Sequence, residues 1–337
     1  MSDFVMLAHG SGGTLGHELV QRVFLAHFDD PALGALEDAT GLDLGDNRGQ
    51  TVFTTDSYVV QPLFFPGGNI GKLAICGTVN DLSARGAQPL YLSEGFILEE
   101  GLPLEDLERV VGAMAETAKR AGVRIVTGDT KVVERGSADK LFINTAGIGV
   151  VPAGISISAR NARPGDAVLI NGAVGDHGLA IMTQREGLRF QSPLQSDCAP
   201  LNGLVKTLLD DGIDLHVLRD PTRGGLATTL NELAESSGVS IEIDETAVPV
   251  HEAVRAASEL LGLDPLYVAN EGKMIVIVPG EAADAALRSM RAHADGAEAA
   301  IIGHVGDGPA GRVTLRTVLG THRLLDMLAG EQLPRIC

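Results

Sequence analysis

Cys337 closes the sequence as a bare thiol at the end of Leu333-Pro334-Arg335-Ile336-Cys337. A sulfur placed there can enter a narrow pocket head first. Pro334 stiffens the approach, and Arg335 supplies a fixed positive charge that favours thiolate. A frayed end with an incidental cysteine is the plain alternative, so the rest of the chain has to decide. The other residues able to do chemistry are carboxylates at element ends: Asp38, Asp56, Asp81 and Asp129. Hard oxygen ligands of this kind suit magnesium carrying a nucleoside triphosphate.

The elements that must position these groups follow from periodicity. A glycine-rich loop, Leu7 to Gly13, precedes a helix capped by Thr14, and the loop amides around Gly12 and Gly13 can hold phosphate. It is not a P-loop, because the lysine and hydroxyl that must follow the last glycine are missing. Glu37-Asp38-Ala39 and the strand Thr51 to Asp56 form a hairpin-like unit with one carboxylate near each end. A helix over Ile70 to Arg85, closed by Gly86, carries Ile70, Ala74, Gly77 and Ala84 on one face, and Asp81 falls on that face. An unpaired carboxylate buried there costs several kcal/mol, which calls for a cation, a lysine, a cleft or a local hydrogen bond. A strand over 89–98 and a helix from Leu104, with Glu105 and Asp106 in its first turn and Lys119 and Arg120 in its last, form scaffold. The spacing then predicts a buried strand, Val123 to Thr127, that places Asp129 and Lys131 at its carboxyl end, where α/β proteins bind ligands. Strand 141–150 completes the half.

Residues 156–164 read as a linker, and a new unit opens at Gly165-Asp166 with strand 167–170. Two glycine loops, Gly172 to Gly178 and Asp220-Pro221-Thr222-Arg223-Gly224-Gly225, each present amides and a charged side chain at a helix start, a cradle for an anion. His177 and Arg223 can serve there or be structural. Strands and helices alternate over 240–243, 251–261, 274–278 and 282–293, with Asn270-Glu271-Gly272-Lys273 before the third of these. Glu271 is a base or the ion-pair partner of Lys273.

The formal charge of −18, from 44 acidic and 26 basic residues, excludes nucleic acid and anionic membrane as partners held by bulk electrostatics. No stretch is apolar enough to span a bilayer, and Met1-Ser2-Asp3 lacks the basic start of a signal peptide. Cys76, Cys198 and Cys337 form neither a disulfide framework nor a metal pair. These features predict a cytoplasmic protein of two domains. Residues 311–337 carry four arginines against Asp326 and Glu331, a basic tail on an acidic body.

Assembled in order, the glycine-rich start, Thr54-Thr55-Asp56, Thr78-Val79-Asn80-Asp81-Leu82-Ser83-Ala84, Gly128-Asp129-Thr130, Asp220 to Gly225 and Asn270-Glu271-Gly272 resemble the family of ATP-dependent synthetases that includes aminoimidazole ribonucleotide synthetase, selenophosphate synthetase and thiamine-monophosphate kinase. Within it, Pro334-Arg335-Ile336-Cys337 is similar to the ending of the hydrogenase-maturation branch. The resemblance implies that a HypF-like partner carbamoylates Cys337, that ATP drives dehydration of the thiocarboxamide to a thiocyanate, and that the cyanide passes to iron held by a HypC–HypD complex. It implies an α/β two-domain synthetase-like fold, with residues 1–155 binding ATP and Mg²⁺ and forming a β-barrel across a homodimer. Residues 156–310 would form a second α/β domain, and 311–337 a segment ending in a mobile tail whose extended reach from Leu328 is about 30 Å. By the same resemblance Asp38, Asp56, Asp81 and Asp129 bind metal. Gly12, Gly13, Asp56, Asn80, Asp81 and Asp129 bind the cofactor, and Lys131 and Glu271 lie near the reacting group as electrostatic stabiliser and base. Selenophosphate synthetase would carry its reactive cysteine in the glycine-rich segment, where this chain has His9. A small-molecule kinase has no use for Cys337, and a non-catalytic thiol carrier has none for the four aspartates.

Overall fold

The computed structural model describes residues 13–19, 21, 37–42, 49–187, 194–328 and 335–337. The chain makes, in order, α1 (Gly13–Leu19), β1 (Thr40–Leu42), β2 (Gln50–Tyr58), the short pair β3 (Phe64–Phe65) and β4 (Gly68–Asn69), α2 (Ile70–Ala84), β5 (Gln88–Glu99), α3 (Leu104–Ala121), β6 (Arg124–Val133) and β7 (Leu141–Val151). There follow β8 (Asp166–Ile170), α4 (Asp176–Arg185), α5 (Asn202–Asp210), β9 (Val217–Arg219), α6 (Gly225–Ser237), β10 (Ser240–Asp244), α7 (Glu252–Leu261), β11 (Ile275–Pro279), α8 (Ala283–Ala292), β12 (Ala300–Gly306), β13 (Arg312–Arg316) and β14 (His322–Leu324). The strands sort into a five-stranded sheet of order β1-β2-β7-β5-β6 and a seven-stranded sheet of order β14-β13-β10-β12-β8-β11-β9.

Helix α2 is the hub of the first unit. Asn69 starts it by accepting the Gly71 and Lys72 N–H groups at 2.9 and 3.0 Å. The single apolar face expected from its spacing is not what forms. The sheet covers one side, α3 another and the second unit a third, so of its residues only Lys72 and Asp81 escape full burial. Gly77 permits this closeness, since a Cβ there would lie 2.2 Å from Tyr58 Oη.

Strand β6 departs from expectation. The buried strand ending at Thr127 is instead an exposed edge strand that runs on through Asp129 and Lys131 to Val133. Only β5 pairs with it, and nothing among the described residues covers its faces, so its apolar residues reflect a surface left open in the single chain.

In the second unit, side-chain alternation on β8 sends Val168 and Ile170 to the cluster built with α6, and Ala167 and Leu169 to the one built with α5 and α8. Burial on both faces explains the unbroken apolar run. Strands β13 and β14 complete this sheet. The arginines expected to make a free basic tail are instead pinned to the body: Arg316 pairs with Asp244, and Arg323 with Asp264 at 2.9 Å. Among the described residues no helix is long and apolar enough to cross a membrane.

Candidate active site

A cavity of about 470 Å³ opens where the end of β2, helix α2 and the β9–α6 turn converge on Cys337. The β1–β2 hairpin brings Asp38 back beside β2, where the Thr54 hydroxyl lies 2.9 Å from both the Asp38 carbonyl oxygen and Asp81 Oδ2. Asp220 follows β9 directly. Asp38, Asp81 and Asp220 each present a ligand atom, all within 4.8 Å of one another, and Asp56 lines the same cavity. Burial first, and mutual repulsion second, push the Asp81 carboxyl well above the usual carboxylate range. Burial likewise raises Asp38 and Asp220, with Arg219 acting downward on both. Arg219 lies 2.9 Å from Asp38. Converging buried carboxyls that repel one another, with only oxygen donors, fit a hard divalent cation. The turn that carries Asp220 requires glycine: Gly225 has φ +61°, and a Cβ there would lie 2.6 Å from the Val268 carbonyl oxygen.

Glu271 borders the cavity, 4% exposed, with Oε1 unpartnered. Burial, reinforced by Cys198, Asp220 and Asp56, raises its carboxyl well above the ordinary range. The alternative pairing with Lys273 does not occur, because Lys273 Nζ lies 3.0 Å from Asp197 Oδ2. Asp197 in turn accepts the Glu271 N–H at 3.1 Å and so fixes the backbone that carries the acid. Cys337 is half-buried beside Glu271 and Arg223, and burial pushes its thiol up to about 12. Arg223, which acts downward on that thiol, forms no ion pair among the described residues. Arg335 does not supply the thiolate-favouring charge expected of it. Its guanidinium is spent on Asp139 at 2.5 Å and the Val59 carbonyl at 3.0 Å.

Residues 36–151 match the AIR synthase related protein N-terminal domain, and residues 163–316 match the C-terminal domain. The chain is 52% identical over 333 residues to the carbamoyl dehydratase HypE of Azotobacter vinelandii, covering 99% of this chain and 97% of that one. A crystal structure of a HypE-HypF complex superposes with a TM-score of 0.87 at 53% identity, over 92% of this chain and 99% of that chain. A HypE structure in complex with ATP gives 0.83 at 56% identity, over 99% and 100%. The chain belongs to the HypE carbamoyl dehydratases of the AIR synthase related family.

Against what that family implied, the cavity gathers Asp38, Asp56, Asp81, Glu271 and Cys337. It does not gather Asp129 or Lys131. Sheet register sets Asp56, Thr145, Glu94 and Gly128 in one row, which puts Asp129 about three strand spacings, roughly 14 Å, from the Asp56 position. Asp129 and Lys131 form an exposed ion pair at 2.5 Å, and the lysine holds the Asp129 carboxyl below its usual range. Asn80, expected at the cofactor, has its side chain consumed by backbone: it accepts the Leu201 N–H at 2.8 Å and donates to the Ala199 and Glu271 carbonyls. Gly13 begins α1 but does not line the cavity, and Gly12 lies outside the described residues. Asp220 and Asp197 were missed. Asp220 carries a signal in the sequence, since it directly follows a strand and precedes a glycine turn.

Proposed function

We propose that this chain removes water from a carbamoyl group carried on Cys337, at the cost of ATP, and leaves a thiocyanate as the source of the cyanide ligand of a [NiFe]-hydrogenase iron centre. The observation that carries the reading is the seating of Cys337 in the carboxylate-lined cavity, beside Glu271 and Arg223. Amide oxygen is a poor leaving group. Attack of the thiocarboxamide oxygen on the γ-phosphorus of ATP expels ADP and makes that oxygen a phosphate ester. Nitrogen then gives up its protons, the C–O bond breaks with phosphate as leaving group, and S–C≡N remains. Magnesium held by Asp38, Asp81 and Asp220, with Asp56 nearby, would supply the charge that screens the phosphates.

Glu271 is the acceptor we assign for the nitrogen proton. Burial makes it hold its proton more firmly than an ordinary carboxyl does, so its use as a base depends on offsetting what raises it. Two of the groups that hold it up, Asp220 and Asp56, sit where a cation would neutralise them. Arg223, which lines the cavity beside Cys337, is the cation we assign to meet charge developing on the carbamoyl oxygen. Asn80 supports Glu271 by holding its backbone.

We further propose a homodimer joined through the β5–β6 end of the sheet, where Ile97 on β5 and Val126 and Val132 on β6 are 45%, 51% and 68% exposed. That barrel would carry Asp129 and Lys131 to the facing subunit's cavity. Residues 1–155 are the nucleotide and dimer domain in this reading, with a HypF-like carbamoyltransferase and a HypC–HypD complex as cytoplasmic partners. Intact mass decides it: the chain co-produced with its carbamoylating partner should gain one carbamoyl group, then lose one water only when ATP is added. Cys337→Ala should do neither. ATP hydrolysis indifferent to Cys337→Ala would favour a small-molecule kinase.

A further inference from the structure

The last residues of the chain are held by groups that take no part in the chemistry above. His177, in the first turn of α4, is fully buried. Its Nε2 lies 2.9 Å from the Ile336 carbonyl oxygen and its Nδ1 2.8 Å from Ser196 Oγ. A carbonyl only accepts, so the ring proton belongs on Nε2, and Nδ1 accepts from the Ser196 hydroxyl. Ser196 Oγ in turn accepts the Cys198 N–H at 3.1 Å, which leaves the network without a spare donor. Burial depresses His177, in keeping with a neutral ring. The Phe65 ring packs perpendicular to it, with centroids 5.5 Å apart and an interplanar angle of 87°, which restrains the imidazole plane.

A second prong comes from the other end of the same helix, where Arg185 donates to the Arg335 carbonyl. From the first unit, the Val59 N–H donates to the Cys337 carbonyl at 3.2 Å and the Gln61 N–H to that of Arg335 at 3.3 Å. The tail is thus read at three consecutive carbonyls rather than gripped by apolar contact alone. The difference matters because an apolar slot tolerates sliding, and a slip of one residue moves the sulfur by about 3.4 Å, off Glu271 altogether.

We propose that His177, supported by Arg185, is the positioning residue that sets the register of the tail and so places the Cys337 sulfur against Glu271 and Arg223. This rests on the reading of Cys337 as the carrier of the reacting group. It also accounts for a polar ring in a fully buried place. With the tail docked both nitrogens are satisfied, whereas withdrawal strands the Nε2–H, a penalty that holds the tail in until something displaces it.

The test is the rate at which iodoacetamide alkylates Cys337 in the full-length protein, followed by peptide mass. Cys76 and Cys198 are buried and serve as internal controls. Loss of one hydrogen bond should raise the undocked fraction, and with it the alkylation rate, about ten-fold in His177→Ala. His177→Gln, which offers an amide donor near the Nε2 position, should return most of the protection. ATP-dependent water loss from the carbamoylated protein should follow the same order, slow in Ala and rescued in Gln, with ATP affinity unchanged in both. Alkylation of His177→Ala at the wild-type rate, or an equal defect in Ala and Gln, overturns the proposal. Should His177→Ala fail to fold, Arg185→Met carries the same assay, and wild-type protection in it also overturns the proposal. Failure of the carrier reading looks different, because then wild type itself shows no water loss.

Discussion

Lys273 Nζ lies 3.0 Å from Asp197 Oδ2, and this ion pair keeps the lysine from Glu271, which is two residues away and buried. Burial acts upward on Asp197, yet Lys273 and the Glu271 N–H hold it below the usual carboxylate range. Lys273→Met should therefore expose the cost of an unpaired buried carboxylate, about 3–5 kcal/mol in urea unfolding at neutral pH. A depressed carboxyl contributes stability above its unfolded pKa and loses it as pH falls, so the deficit of the variant should shrink on acidification as Asp197 takes up a proton. A deficit that does not change with pH would remove the pairing from the explanation.

Glu271→Gln should stop dehydration and stabilise the fold. The sign follows from the raised carboxyl. Between the ordinary carboxylate range and its folded value, the native state binds the extra proton, so Glu271 makes stability fall as pH rises. Glutamine has no such dependence. We expect Tm to rise by about 2–4 °C at pH 8 and by less at pH 5, read by calorimetry, while ATP still binds. A destabilised variant at pH 8 would show that the carboxylate is satisfied by a partner.

What the sequence made legible was local. Helix α3 forms with Glu105 and Asp106 in its first turn and Lys119 and Arg120 in its last, as the charge pattern predicts, and the strand expected over 141–150 forms as Leu141–Val151 with alternate burial. Asp38, Asp56 and Asp81 also stand out in the sequence as carboxylates at element ends, and all three line the cavity. What periodicity does not carry is which strand ends up at an edge. Val123 to Thr127 reads as a buried strand, yet β6 pairs on one side only, and this moved Asp129 and Lys131 out of the cavity. Nor does spacing reveal that Asn80 and Asp197 would hold the second unit's backbone, since both act over more than seventy residues of separation.

The cation site can be apportioned between two aspartates. Asp220 shares ligand distance with Asp38 and Asp81, whereas Asp129 lies outside the cavity of its own chain. Asp220→Asn should weaken magnesium-dependent nucleotide binding by ten-fold or more, roughly the loss of one charged ligand contact. It should also stabilise the apo fold at neutral pH, by relieving repulsion on Asp81. Calorimetric titration with magnesium and a non-hydrolysable nucleotide checks the first part. Unchanged affinity in Asp220→Asn would remove this residue from the site.

Lys131 poses the sharpest question, because it is 68% exposed on an edge strand and, among the described residues, is paired with Asp129. An exposed, solvent-screened pair of this kind adds little to stability, so Lys131→Ala should leave Tm nearly unchanged. If Lys131 acts on the facing subunit's carbamoyl group, two inactive variants should complement each other. A mixed dimer of Lys131→Ala and Cys337→Ala holds one chain that keeps the sulfur and another that keeps the lysine. Random pairing of equal amounts makes half of the dimers mixed, each with one complete site, so dehydration should return to about a quarter of wild type. Equal mixtures co-refolded and assayed by mass loss, against each variant alone, decide the matter. No recovery, with mixed dimers confirmed by native mass, would confine catalysis to the residues of one chain and turn attention to Arg223, which lines the same cavity as Cys337.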